Sequence, residues 1–200
     1  MNSIFDQKSS ANYLFALLGC SGAGKTTILR YLRRSIAADA APKFTTRPSR
    51  NTSEDIEDFI FCVDPNFPTD DIISFESYGY VFGIQRLEID HSLKRGKSHV
   101  VVVGDASVVE RLRDVYNEKV VSIFVFCQSS VLQKRVACDP ARAARWPMIS
   151  AEIDRVYDQL GSVDFVVNNS NSKEKTFSQI NRVCKLLGQT GRADTAGSVG

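Results

Sequence analysis

The chain has 200 residues, 43% hydrophobic and 24% charged, with a formal net charge of +2. This is the make-up of one domain with its own core, and the charge is too small to point to nucleic acid. Five cysteines (Cys20, Cys62, Cys127, Cys138 and Cys184) form an odd set without a C-x-x-C pair, which argues against a disulfide framework or a zinc site and points to the reduced cytoplasm. No basic region followed by a long apolar stretch opens the chain, and no window is long enough to cross a bilayer, so no membrane partner is expected.

Residues 1–12 are polar and expected to be loose. The apolar run at 13–18 suits a buried strand, and within 27–36 the residues Ile28, Leu29, Leu32 and Ile36 share one helical face. Between them lies Gly19-Cys20-Ser21-Gly22-Ala23-Gly24-Lys25-Thr26, with the G-x-x-x-x-G-K-[ST] form of a nucleoside-triphosphate cradle. Strand, glycine loop and helix stand in the order such a cradle needs. The glycines let the backbone N–H groups of Ser21, Gly22, Ala23 and Gly24 turn inward around a β-phosphate. The helix beginning near Lys25 adds unpaired N–H groups and the positive end of its dipole. Lys25 is expected to reach the β- and γ-phosphates, Thr26 to ligate Mg²⁺ through its hydroxyl, and Thr27 to line the same donor site; ATP is the implied cofactor. Cys20 reads as a small space-filler rather than a thiolate.

From Lys43 to Gly83 a turn-rich, charged segment carries two strand-like runs, 58–63 and 72–83, and reads as a small β insertion standing over the strand ends. An acceptor that is itself an anion needs positive charge of its own. Thr45-Thr46-Arg47-Pro48-Ser49-Arg50 supplies two guanidiniums in a rigid turn, and such planar forks suit a phosphate. Further on, β-branched runs at 100–103, 120–126 and 163–167 alternate with helical patterns at 84–95, 105–117, 129–137 and 150–160. The last helix has Ser150 as N-cap and Ile153, Val156, Tyr157 and Leu160 as its apolar stripe. An irregular stretch at about 138–149, with Arg142 and Arg145 between two prolines, reads as a mobile lid. Residues 188–200, rich in Gly, Ser, Thr and Ala, are expected to be loose. The alternation predicts an α/β fold of P-loop NTPase type, a parallel sheet flanked by helices with ligands at the carboxyl ends of its strands. His91 and His99 read as packed or solvated rather than catalytic.

The glycine loop, Thr45-Thr46-Arg47 with Arg50 after it, Asp58-Phe59-Ile60-Phe61 and the turn Tyr80-Val81-Phe82-Gly83 follow one another in a way that resembles the guanylate-kinase family of nucleoside-monophosphate kinases, over residues 13–187. The resemblance implies an ATP- and Mg²⁺-dependent kinase acting on a small phosphorylated acceptor. Arg47 and Arg50 would hold the acceptor phosphate, and Arg135, Arg142 and Arg145 the transferred group. Arg155 would match the arginine after the lid, and Asn168 the strand-end asparagine beside the donor adenine. Two family tyrosines on the acceptor phosphate appear here as Phe59 and Phe82, with Tyr78 and Tyr80 close by. The guanine-reading glutamate falls on or near Ser74 and the aspartate after the central strand on or near Gly104, leaving Glu76 and Asp105 as the nearest carboxylates. Guanine N1 and N2 protons need such acceptors, so their loss puts GMP in question.

The same departures resemble the ribose 1,5-bisphosphate phosphokinase branch, whose acceptor carries no base and whose product is phosphoribosyl diphosphate. A GTPase is disfavoured: Asp158-Gln159-Leu160-Gly161 comes late, on a predicted helix, and no Asn-Lys-x-Asp follows. A non-catalytic guanylate-kinase-like module that binds peptides is the alternative from another class. Modules of that kind typically have eroded glycine loops, whereas Gly19, Gly24, Lys25 and Thr26 are all present.

Overall fold

The computed structural model describes residues 12–49, 57–68 and 71–189. Arg50 lies outside them, as do the side chains of Ala141 and Arg142. In chain order the elements are β1 (Leu14–Leu18), α1 (Lys25–Ser35), β2 (Lys43–Thr45), β3 (Phe59–Phe61), β4 (Ile72–Ser77), β5 (Tyr80–Gln85), α2 (Arg86–Lys94) and β6 (His99–Val102). There follow α3 (Ala106–Tyr116), β7 (Val120–Phe126), α4 (Ser129–Ala137), α5 (Pro140–Ala143), α6 (Trp146–Ala151), α7 (Ile153–Tyr157), a 3₁₀ turn (Asp158–Ser162), β8 (Phe165–Asn168) and α8 (Lys173–Leu186).

The uninterrupted apolar runs become the interior of a parallel sheet ordered β6-β1-β7-β8. β1 is buried at every position and β7 at all but its last. Successive side chains point to opposite faces, so such burial means that both faces are covered. α1 packs on β1 and β6, α3 on β1 and β7, and α8 on β8 and α1. Among the described residues no helix is long and apolar enough to cross a membrane.

The insertion is a second sheet ordered β3-β2-β5-β4, in which β2 pairs in parallel with β3 and antiparallel with β5. The run read from sequence as one strand over 72–83 is a hairpin, because Tyr78 and Gly79 both take positive φ, 51° and 74°. That is what a two-residue turn matched to strand twist requires.

The second departure lies between α4 and β8. Ser150 does not cap a helix over 150–160: it sits inside α6 and its Oγ donates to Pro147 O at 3.0 Å. Proline is at home in a first helical turn, so Trp146-Pro147 starts the helix earlier, and the chain is re-initiated at α7. The expected irregular lid accordingly contains α5 and most of α6. At the tail, Gln189 lies in the stretch expected to be loose, yet it is buried and its Oε1 accepts from Ser98 Oγ at 3.0 Å. His99 is packed as expected: Nδ1 meets Ser92 Oγ at 2.8 Å and burial lowers its pKa to about 4.

Candidate active site

Between β1 and α1, Gly19, Gly22 and Gly24 take φ of 129°, 88° and 99°, a region that residues with a Cβ rarely adopt. At Gly24 space forbids it too, since a Cβ would collide with Asn169 Nδ2. Asn169, just past β8, is buried. Its Nδ2 donates to Ala23 O at 2.7 Å and its Oδ1 accepts from Thr176 Oγ1 at 2.8 Å, so a side chain from the far edge of the sheet clamps the loop. α1 has no side-chain cap at Gly24 and no acidic residue in its first turn, which leaves its first N–H groups to an anion. Lys25 Nζ folds back over the loop onto Gly19 O (2.6 Å) and Cys20 O (2.9 Å). The Ser21 N–H donates to Tyr78 Oη at 3.1 Å, from the tip of the β4–β5 hairpin. The Ala23 N–H instead turns into the loop, to Cys20 O at 3.1 Å, and Ala23 is buried. Burial pushes the Cys20 thiol up to about 11, so the nearby helix end does not make it a thiolate.

One cavity of about 440 Å³ joins this loop to the insertion, lined on the loop side by Ser21, Gly22, Gly24, Lys25, Thr26 and Thr27. Arg47 faces it from the end of β2, buried, with its guanidinium carbon 4.9 Å from the Phe59 ring centre and 5.6 Å from that of Phe61. Thr46 fixes this approach by exchanging two 3.0 Å bonds with Val81 of β5. Phe82 stacks on Phe75 with centroids 5.4 Å apart and meets Phe59 at 6.1 Å, making an aromatic wall. Tyr80 and Glu76 line the cavity; Ser74, paired with Gly83, is exposed and does not. Phe75 presses on Gly104, where a Cβ would lie 2.7 Å from the ring, so the phenyl group occupies the room that a carboxylate side chain at 104 would need. Asp105 lines the cavity too, but its Oδ1 caps α3, accepting from Ser107 N (3.0 Å), Ser107 Oγ (2.6 Å) and Val108 N (3.3 Å).

Arg135, Arg145 and Arg155 reach the same cavity. Arg135 donates to Cys127 Sγ at 3.5 Å, and Arg155 pairs with Glu152 at 3.4 Å. Asn168 does not line the cavity: its Oδ1 accepts from Ser170 N at 2.9 Å, and the adjacent Asn169 is the one that reaches the loop. Sequence reasoning did not single out Asn169, Lys43 or Glu152, and noted Tyr78 only as a neighbour. A lysine opening a strand and the Asn-Asn pair ending one were the available signals. Lys43 Nζ donates to Val102 O at 2.8 Å beside three phenyl rings, and burial holds its pKa down to about 7.

No family model matches the chain. The guanylate kinase of Fusobacterium nucleatum subsp. nucleatum is 24% identical over 132 residues, 64% of this chain and 71% of its own length. That of Nitrobacter hamburgensis is 25% identical over 191 residues, 90% of this chain and 85% of its own length. Among solved structures, a guanylate kinase from Anaplasma phagocytophilum superposes with a TM-score of 0.63 at 20% identity over 90% of each chain. A gluconokinase from Sinorhizobium meliloti 1021 superposes with a TM-score of 0.50 at 16% identity, over 89% of this chain and 96% of its own. The chain is thus similar in sequence to guanylate kinases and shares their P-loop kinase fold, which supports an ATP-dependent kinase of guanylate-kinase-like type.

Proposed function

We propose that the chain transfers the γ-phosphoryl group of ATP to a small acceptor that already carries a phosphate. The observation behind this reading is the single cavity joining a triphosphate cradle, open at the N-terminus of α1, to the buried Arg47. Two polyanions must be held in line with their charge offset, and little covalent chemistry is asked of the protein. On this reading Lys25 exchanges the Gly19 and Cys20 carbonyls for donor phosphates, and the Ser21 N–H exchanges Tyr78 for the same anion. The Thr26 hydroxyl is the protein's ligand to Mg²⁺. Mg²⁺ keeps several waters and takes its other ligands from phosphates, so one hydroxyl in the cavity suits it, and the described residues hold no cluster that would bind a metal unaided. When bound, Mg²⁺ would supply charge neutralisation to the transferring phosphates. Arg135, Arg145 and Arg155 are the cations proposed for the transferring group and Arg47 for the acceptor phosphate; Arg142 and Arg50 join them on their motif alone.

Kinship with guanylate kinases makes a GMP-type nucleoside monophosphate the first acceptor to consider. One observation favours ribose 1,5-bisphosphate: Phe75 fills the space beside Gly104, where guanine recognition would need a carboxylate. The test is coupled ADP release across GMP, dGMP, AMP, UMP, CMP and ribose 1,5-bisphosphate. Acceptor-dependent ADP release is expected with one class only. Binding of an ATP analogue with no acceptor turned over, together with peptide binding that ignores Lys25, would favour the non-catalytic module.

A further inference from the structure

We infer that Lys43 is an anion-binding residue of the acceptor site, and that the acceptor carries a second anionic group, a phosphate or a carboxylate, besides the phosphate assigned to Arg47. This rests on the kinase reading above and narrows its acceptor. The ammonium sits against apolar walls, 5.4 Å from the Phe59 ring centre, 5.9 Å from that of Phe75 and 5.6 Å from that of Phe82. Among the described residues its hydrogen bond is to Val102 O, at 2.8 Å, and no carboxylate lies within ion-pair distance. An ammonium has three donors, so two are left for a ligand.

Lys43 is half-buried as a residue, but its ammonium is desolvated among the three rings. A desolvated cation without an anionic partner is costly, and this one stands in the cavity proposed for the acceptor. Desolvation depresses its proton affinity, Lys25 and Arg47 add repulsion, and only Asp58 opposes them. Lys43 and Arg47 share the Phe59 ring, the guanidinium at 4.9 Å and the ammonium at 5.4 Å, so two cations face one small volume. A neutral base edge would leave the ammonium uncompensated. A second anion would bond it, restore its proton and offset its desolvation.

The test uses the full chain saturated with a non-hydrolysable ATP analogue. Ribose 5-phosphate and ribose 1,5-bisphosphate, which differ by one phosphate, are titrated calorimetrically into wild type, Lys43→Met and Lys43→Arg. Wild type is expected to bind the bisphosphate about tenfold or more tightly than the monophosphate, as one charge-assisted bond is worth. Lys43→Met should erase that preference without changing affinity for the ATP analogue, and Lys43→Arg should keep it. If Lys43→Met does not fold, Lys43→Gln makes the same comparison. A preference that survives loss of the charge, or one absent from wild type, overturns the assignment. ADP release with an acceptor that ignores Lys43 would then leave the kinase reading standing, whereas binding of neither sugar phosphate and no ADP release with any acceptor would remove both.

Discussion

Asn169→Ala is a direct perturbation of the cradle made far from it in sequence. The substitution removes the donor to Ala23 O (2.7 Å) and the acceptor for Thr176 Oγ1 (2.8 Å). Thr176 keeps a second partner, Ser172 O at 3.2 Å, so most of the cost falls on the Ala23 carbonyl. A buried acceptor deprived of its donor costs about 1–3 kcal/mol, and the vacated amide adds a small cavity. The expected loss is about 2–3 kcal/mol, which in a domain of this size lowers Tm by roughly 5–10 °C. Because Asn169 grips the turn that sets the first N–H groups of α1, affinity for a non-hydrolysable ATP analogue should fall as well, measured where both proteins are fully folded. Urea unfolding and isothermal titration give the two numbers. A variant within about 0.5 kcal/mol of wild type, with unchanged analogue affinity, would refute the clamp.

Lys25→Met should lower phosphoryl transfer by about a thousandfold or more in an ADP-release assay while leaving the circular dichroism spectrum intact, because Nζ is the cation resting at the cradle; near-normal turnover would contradict its role. Tyr78→Phe removes the hydroxyl that accepts from Ser21 N–H, so a competitor for that donor is lost and the dissociation constant of the ATP analogue should fall by about two- to fivefold; weaker binding would mean that the hydroxyl helps rather than competes. The Lys43 pKa is held at about 7, below its unfolded value, so between about pH 7 and pH 10.5 the unfolded chain binds a proton that the folded chain does not. The cost of burying this ammonium is therefore fully present below about pH 7 and fades as pH rises. Wild type should gain on the order of 1–2 kcal/mol relative to Lys43→Met between pH 7 and pH 9 in urea unfolding, and parallel curves would show that the ammonium is not desolvated.

The amino-acid pattern by itself settled the loop and the sheet. Three glycines at fixed spacing before Lys25 and Thr26 dictate a turn that only such a sequence makes, and the apolar runs of β1, β6 and β7 leave them nowhere but a two-sided interior. The arginine of Thr45-Thr46-Arg47 was legible as well, because it follows from local composition. Ser150 misled because its neighbours read as a cap, while Pro147 opens the helix upstream. What lies around these elements was decided by the tertiary structure. Asn169 meets Ala23 across 146 positions of chain, Lys43 meets Val102 across 59, and Phe75 takes the space beside Gly104 because the β4–β5 hairpin docks against the end of β6. Periodicity and spacing report only which face of its own element a residue occupies. Which side chain it meets there depends on how the parallel sheet and the insertion bring distant segments together, and that arrangement sets the desolvation of Lys43 and the clamp on the cradle.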